Sequence, residues 1–531
     1  MLFTSYSFIG FITLVFILYY TIPKKWQWPF LLLSSYVFYF MASPAYLIFI
    51  GVTTVSTYLV SRKLDDLHRQ QEVYLKEHKG SITREEKKAY KARMKGRQWK
   101  WLLVCLFFNL GILAVLKYTN FTIANINGLL QAFHSSKELS FVNIIVPMGI
   151  SFYTFQTMGY IIDVYRGTSK PEKNLFKLAL FVSFFPQLVQ GPISRFNDLS
   201  KSLFEQHAFD TKVVSYGLYR ILWGYFKKMI VADRILVAVN EIIHNPDVYQ
   251  GGFVFVGMMF YAFELYADFT GGIDITIGIA QTMGITVTEN FRRPYLSKNI
   301  KEYWNRWHIT MGTWFTDYIF YPISVCKPML KLSKFSRNKF GDVIGKRVPV
   351  YLSSFVVWFT TGIWHGASWN FIVWGLMNFV VIMISQELEP LYRKFHSRFH
   401  VKDKAWYGAF EIIRTVLLMS AIRTFDCYRD VPLTFKMYVN MFTHFDIRAL
   451  NGEAFLGLGL TGADYLLLFV CLIIMVAVSL TEEKKGSVRD LLYRAPAAWK
   501  YVAFGALLLA VLVFGAYGIG YDQSQFIYNQ F

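Results

Sequence analysis

Apolar residues in this chain come in blocks rather than stripes. The blocks fall at residues 2–22, 30–41, 45–60, 101–117, 253–269, 350–359, 371–385, 465–480 and 501–520. Each is near or somewhat below the roughly 20 residues that cross a bilayer as helix. The pattern predicts an all-α polytopic membrane protein of about a dozen transmembrane and re-entrant helices, some short or broken. Block 2–22 runs too long for a cleavable signal and lacks a small-residue cleavage site, so a retained helix is expected there.

The polar segments between blocks carry the charge. The chain has 531 residues, 54% of them hydrophobic and 18% aromatic, with a net charge of +20 and a positive mean hydropathy. Such a charge can signal nucleic acid, but here the cations sit between apolar blocks, where they set topology, and no nucleic-acid partner is expected. Residues 61–100 hold thirteen Lys/Arg against six Asp/Glu. They predict a solvated helical extension of the flanking membrane helices, cytoplasmic by the positive-inside rule. The same rule places 327–347 and 482–500 inside and the tail 521–531 outside. The expected organisation is one membrane-embedded domain, 1–520, containing the basic connector 61–100, followed by the extracellular tail 521–531. Cys105, Cys326, Cys427 and Cys471 show no paired spacing, so neither disulfide nor metal site is expected.

Two stretches break the apolar pattern. In VPMGISFYTFQTMGYIIDVYRG, from Val146, Pro147 and Gly149 interrupt a helix that Asp163 and Arg166 close. In LFVSFFPQLVQGPISRFNDL, from Leu180, Pro186, Gly191 and Pro192 predict irregular backbone, tolerated at membrane depth only where it is buried in protein or lines a cavity. A simply kinked helix is the alternative. Further on, Glu264, Asp268 and Asp274 stand in an apolar context. Glu264 and Asp268 are four apart and share a helical face. A structural role is expected for the three carboxylates, with Arg292, Arg293 and Arg306 as their neutralising partners.

Two histidines stand apart from the other eight, which fall in polar or loop-like contexts. His365 lies in TGIWHGASWNFIVWGLMN, an aromatic run without Lys or Arg. An ionisable group at membrane depth costs on the order of 2.5–3.5 kcal/mol or more when charged, so it faces a protein interior or a wet cavity and often marks a substrate path. His308 lies in PYLSKNIKEYWNRWHITMGTWFTDYIFYPI. There Asn299 and Glu302 resemble a capping box that starts a helix. Trp304, Trp307, His308, Met311, Phe315 and Tyr318 then follow 3-and-4 spacing, which predicts one helix with one aromatic stripe. For both histidines the plain reading is a neutral imidazole bonded between packed helices, and the sharper reading is chemistry in a shared cavity.

The runs MLFTSYSFIGF, VPMGISFYTFQTMGYIIDVYRG, FPQLVQGPISRF, LWGYFKKMIVADRI, YADFTGGIDITIGIA, ENFRRPYLSKNIKEYWNRWHITMGTWFTDYIFYPI and WHGASWNFIVWGLMN, in this order, resemble the membrane-bound O-acyltransferase family. Within it they are similar to the alginate O-acetylases and the D-alanyl transfer protein of teichoic acid modification. The resemblance weakens beyond Asn378, where SAIRTFDCY around Arg423 only approximates the family's arginine-containing pattern. It departs at Gly271-Gly272-Ile273-Asp274, where alginate-type members carry Gly-Tyr-Ser-Asp.

The resemblance implies a ring of helices around a central funnel, with His365 as general base and His308 orienting the donor or stabilising the oxyanion. It implies acyl transfer from a cytoplasmic thioester, acetyl-CoA or an acyl-carrier-protein thioester, with no tightly bound cofactor. The acceptor is an envelope polysaccharide, reached through a membrane-anchored extracellular transferase of SGNH-hydrolase type. Arg292, Arg293, Lys298 and Trp304 are the donor-binding candidates. The tail YDQSQFIYNQF resembles an F-x-Y-x-x-F acyl-carrier motif, with Tyr528 as nucleophile and Phe526 and Phe531 as anchors. Acetyl is expected before D-alanyl. The competing class is a transporter or flippase, which would show internal repeats that this sequence lacks.

Overall fold

Nearly every described stretch of this chain is helix, and the reason is the apolar blocks: in lipid a backbone must satisfy its own hydrogen bonds. The computed structural model describes residues 4–188 and 190–516. Among these, seven helices are long and apolar enough to cross a membrane: Tyr46–Glu77, Arg84–Ala132, Gly252–Thr282, Trp369–Glu387, Ala405–Tyr428, Gly462–Lys485 and Ala497–Phe514. Tyr6–Thr21 is apolar but shorter. The protein is thus an all-α polytopic membrane protein, and the remainder of its helices are short, broken or mixed in polarity. The tail with Phe526, Tyr528 and Phe531 lies outside the described residues.

The described residues pack as two units, residues 4–214 with 279–288, and residues 215–278 with 289–516. In the first, the expected basic connector is a helical hairpin that continues its membrane helices. Tyr46–Glu77 and Arg84–Ala132 run on past the apolar blocks, and Tyr74 stacks on Tyr90 at 3.9 Å near the turn. Thr83 opens the second helix with a full capping box: its side chain accepts from Glu86 N at 3.2 Å while Glu86 accepts from Thr83 N at 2.8 Å.

The two stretches that break the apolar pattern also lie in this unit. Gly149 caps helix Ile150–Arg166 with φ 72°, a left-handed conformation that favours glycine, and a side chain there would strike the Leu188 carbonyl. Phe185–Leu188 form one short helical turn, residues 190–195 are irregular, and both stretches are buried apart from the half-buried Arg195. Gln187 Nε2 donates to Ser194 Oγ at 2.5 Å between them. The irregular backbone is thus held inside protein, as its prolines and glycine require at membrane depth.

The second unit carries the intramembrane charges. Asp268 pairs with Lys228 at 2.5 Å, and Lys228 also reaches Asp233 at 2.7 Å. Asp274 pairs with Lys227 at 2.6 Å and Arg220 at 2.8 Å. The expectation that Arg292, Arg293 and Arg306 neutralise these carboxylates is therefore corrected: the partners come from 40 to 54 residues upstream. Lys227 and Lys228 occupy a π-helical turn, Phe226–Ala232, that lets adjacent lysines each meet a carboxylate of helix Gly252–Thr282.

Candidate active site

His365 is the last residue of helix Lys327–His365, which turns at Gly366 into helix Trp369–Glu387. The turn is tight because Gly362 has no side chain; a Cβ there would stand 2.6 Å from the Phe371 carbonyl oxygen. His365 is 8% exposed. Its ring meets Trp374 edge-on at 4.7 Å, Trp364 at 5.0 Å and Phe371 at 6.4 Å.

His308 sits at a break. The spacing predicts a continuous helix through it, but helix Ile300–Arg306 ends at Trp307, and His308, at φ 47°, opens a second helix, Ile309–Phe315. A left-handed non-glycine residue costs of order 1–3 kcal/mol and persists where its surroundings hold it. Asn290 supplies the hold: its backbone carbonyl accepts from Ile309 N at 2.9 Å, and its Oδ1 accepts from Thr310 N at 3.1 Å and Thr310 Oγ1 at 2.8 Å. The helix start at Asn299 is as expected, with Asn299 Oδ1 accepting from Glu302 N at 2.9 Å, but Glu302 returns its bond to Lys298 N at 2.9 Å rather than closing the box on Asn299.

The same Asn290 sets His308's tautomer. Asn290 Oδ1 is an acceptor, committed by Thr310 N, and His308 Nδ1 lies 3.2 Å from it. Nδ1 therefore carries the proton, and Nε2 is left as acceptor. An acceptor cannot stabilise an oxyanion. Of the two roles implied for His308, orienting an N–H or O–H group fits this geometry. Burial, aided by the nearby Arg423 cation, lowers the imidazole's pKa to about 3, so it stays neutral.

One aromatic wall joins the two histidines. Trp364 touches His365 and also meets His308 edge-on at 6.0 Å. The imidazoles stand at helix ends of opposite polarity, His365 at a carbonyl end and His308 at an amide end. A carbonyl end favours positive charge and an amide end disfavours it, so the two imidazoles sit in opposite fields.

Beside the wall is a cavity of about 560 Å³, lined by cations and carboxylates. Arg220 is fixed by a bidentate pair with Glu289 at 2.5 Å, and Arg293 by Glu483 at 2.6 Å. Arg292 lies on the same wall and carries no ion pair among the described residues. Lys227 and Arg489 complete the cationic lining, and burial lowers the pKa of Arg489 below the ordinary guanidinium range. Below Arg292, Arg306 bonds Glu483 and Glu302, and the Glu483 contact raises its pKa. Phe291 lines the cavity, and its ring lies 6.4 Å from His308 and 5.1 Å from Trp307.

A model of the membrane-bound O-acyltransferase family matches residues 171–425, a span that holds both histidines. The chain is 32% identical to a probable alginate O-acetylase of Pseudomonas syringae pv. tomato, over 71% of this chain and 64% of that protein. With a probable alginate O-acetylase of Pseudomonas putida the identity is 30%, over 73% of this chain and 71% of the relative.

The chain belongs to the membrane-bound O-acyltransferase family.

A teichoic acid D-alanyltransferase of Bacillus subtilis is 30% identical over 48% of this chain and 62% of its own length. The match to the Pseudomonas syringae relative spans somewhat under two thirds of that protein.

Within this membrane-bound O-acyltransferase, the four donor-binding candidates separate. Arg292 and Arg293 line the cavity. Trp304 lies elsewhere, meeting Trp358 at 4.7 Å and Trp374 at 6.0 Å. Lys298 is exposed, its backbone carbonyl accepting from Arg414 Nη2 at 2.8 Å. Sequence reasoning missed Arg220, Lys227, Glu289 and Arg489 as cavity residues, although for Lys227 a cation inside the apolar run LWGYFKKMIVADRI was a signal. It noted Arg423 as a pattern but not its place: the guanidinium lies 4.7 Å from the Trp374 ring, 5.0 Å from Trp307 and 5.9 Å from Trp304.

Proposed function

We propose that this protein transfers an acyl group, acetyl before D-alanyl, from a cytoplasmic thioester for O-acylation of a cell-envelope polysaccharide. The observation that carries the reading is the pairing of two imidazoles on one aromatic wall, at helix ends of opposite polarity, beside a cavity lined by cations. A hydroxyl of pKa ~10 or above is a poor nucleophile at neutral pH, while a neutral imidazole of ordinary pKa ~6.5 can take its proton as it attacks. His365 is the general base. The hydroxyl oxygen bonds to the thioester carbonyl carbon, the tetrahedral adduct breaks its C–S bond, and the departing thiolate takes the proton from His365. His308, neutral with Nε2 as acceptor, holds an N–H or O–H of the substrate in line.

Arg292 and Arg293 suit the phosphates of a donor such as acetyl-CoA or the phosphopantetheine arm of an acyl carrier protein. Acetyl is preferred because similarity to the alginate O-acetylases covers more of this chain than similarity to the D-alanyltransferase. The first acceptor is Tyr528 on the tail, outside the described residues, with Phe526 and Phe531 as anchors. An aryl ester has a better leaving group than a sugar ester, so onward passage to a glycan through an extracellular SGNH-hydrolase-like transferase is downhill. This assigns the tail to the outer face of the bacterial plasma membrane.

The test uses vesicles of both orientations. Labelled acetyl-CoA or charged carrier protein is consumed by inside-out vesicles and not by right-side-out ones, and the label appears on the protein in wild type but not in Tyr528→Phe. Consumption from the outer face overturns the donor side. Polymer acylation unchanged in Tyr528→Phe overturns the tail's role.

A further inference from the structure

We infer that Arg423 is a positioning residue that clamps Trp374 and Trp307, the rings bordering His365 and His308, and so holds the two imidazoles in register during transfer. The inference rests on the acyl-transfer reading above. Arg423 lies near the end of helix Ala405–Tyr428 and is 5% exposed. Its guanidinium lies within 5.0 Å of two tryptophan rings, one of which meets His365 at 4.7 Å while the other directly precedes His308. A second tie fixes the same pair of helices: buried Asn370 Nδ2, on the Trp374 helix, donates to the Phe425 carbonyl on the Arg423 helix at 3.2 Å.

A cation placed only to balance charge would meet carboxylates at close range. Arg423 instead has Asp426 at 3.5 Å, and its buried Nε has no hydrogen-bond partner among the described residues. The charge faces tryptophan rings and the Tyr303 side chain. A planar guanidinium stacks on aromatic faces, whereas a lysine ammonium is a compact point charge on a flexible stem, so the site calls for arginine specifically. Loosening either ring shifts an imidazole against its substrate. Misplacement of about 1 Å can cost on the order of a hundredfold in rate without weakening binding.

The experiment is a double-mutant cycle on full-length protein in proteoliposomes, read as kcat and KM for labelled acyl thioester. Arg423→Met is made together with Asp426→Leu, so that no lone charge is buried. Trp374→Leu is made alone and in combination with that pair. Each of the two changes is expected to lower kcat ~10–100-fold with KM within ~2-fold, and the combination to lose little more than the worse of them, because they act through one element. Multiplying losses, or a rise in KM that carries the whole effect, would overturn the clamp. Should the charge-free pair fail to fold, Arg423→Lys carries the test: it keeps the charge and is expected to stay as slow as the charge-free pair, and wild-type rates in it overturn the proposal. An inactive wild type would sink the acyl-transfer reading itself, whereas an active wild type with a dead His365→Ala and normal Arg423 variants sinks only this inference.

Discussion

Two buried cations in this protein are neutralised in opposite ways. Lys228 lies between Asp268 at 2.5 Å and Asp233 at 2.7 Å, a cation saturated by carboxylates. Arg423 has one carboxylate at 3.5 Å, a side-chain contact with Tyr303, and otherwise meets tryptophan rings. The first arrangement cancels a charge that would otherwise be prohibitive in a low-dielectric interior, with its partners turned on one another. The second leaves a field and an oriented surface beside the histidines. The difference separates scaffold from machinery: a site keeps its charges incompletely satisfied by their own neighbours.

The largest expected effect falls on the machinery side and leaves the scaffold untouched. His365→Ala removes the proposed base, and acyl transfer per folded protein should fall by roughly 10²–10⁴. Membrane insertion and thermal unfolding in detergent should match wild type. His308→Ala should lose less, because its role is orientation. Full activity in His365→Ala would remove the distinction at its root.

The scaffold side breaks differently. Lys228→Met leaves two carboxylates facing each other, and removing one partner of a buried pair costs about 3–5 kcal/mol. The expected readout is a large fall in unfolding temperature, with activity lost only in proportion to folded protein. Adding Asp268→Asn and Asp233→Asn should recover much of the stability. If the triple variant folds but transfers nothing, Lys228 belongs to the chemistry and the comparison is wrong.

Arg292 tests the intermediate case, a cation on the cavity wall with no ion pair among the described residues. Arg292→Ala should raise KM for a phosphate-bearing donor roughly tenfold, the loss of about 1.4 kcal/mol of a charge-assisted contact, with kcat unchanged. Arg293→Ala should do less for the donor, because Arg293 is already committed to Glu483. An unchanged KM in both would move the donor out of this cavity.

These distinctions were only partly legible in the sequence, and the reason is range. Long apolar blocks announce helices because lipid leaves the backbone no alternative, and the charged run of residues 61–100 announced a solvated helical extension of the flanking helices, which the structure folds into a hairpin. Pro147 and Gly149 marked a helix start at Ile150 rather than a break within a helix, since each acts on its own backbone. The break at His308 was hidden. Trp304, Trp307 and Met311 keep helical spacing across it, and the groups that hold it belong to Asn290, eighteen residues away. The carboxylate partners were misjudged for the same reason: the nearest arginines in sequence are not the nearest in space, and Lys227 and Lys228 come from a helix turned back on Gly252–Thr282. His365 and His308 stood out from the composition around them; that Trp364 and Arg423 join their surroundings required the packing.

The smallest effect belongs to a third environment, where the same chemical pair meets water. On the hairpin of residues 61–100, Asp66 receives Arg69 at 3.1 Å and Lys63 at 3.5 Å, a carboxylate between two cations in the same pattern as the Lys228 cluster with the signs exchanged. The geometry resembles that cluster, but Arg69's side chain is 72% exposed and Lys63's 44%. Each partner loses almost no hydration in the pair and regains it at once when the pair is broken, and salt screens what attraction is left. Asp66→Asn should therefore unfold at the wild-type temperature and transfer at the wild-type rate, at both low and physiological salt. A destabilisation approaching that of Lys228→Met would mean the hairpin is covered in the membrane-bound protein, and that burial rather than sequence position decides which of this chain's many ion pairs hold it together.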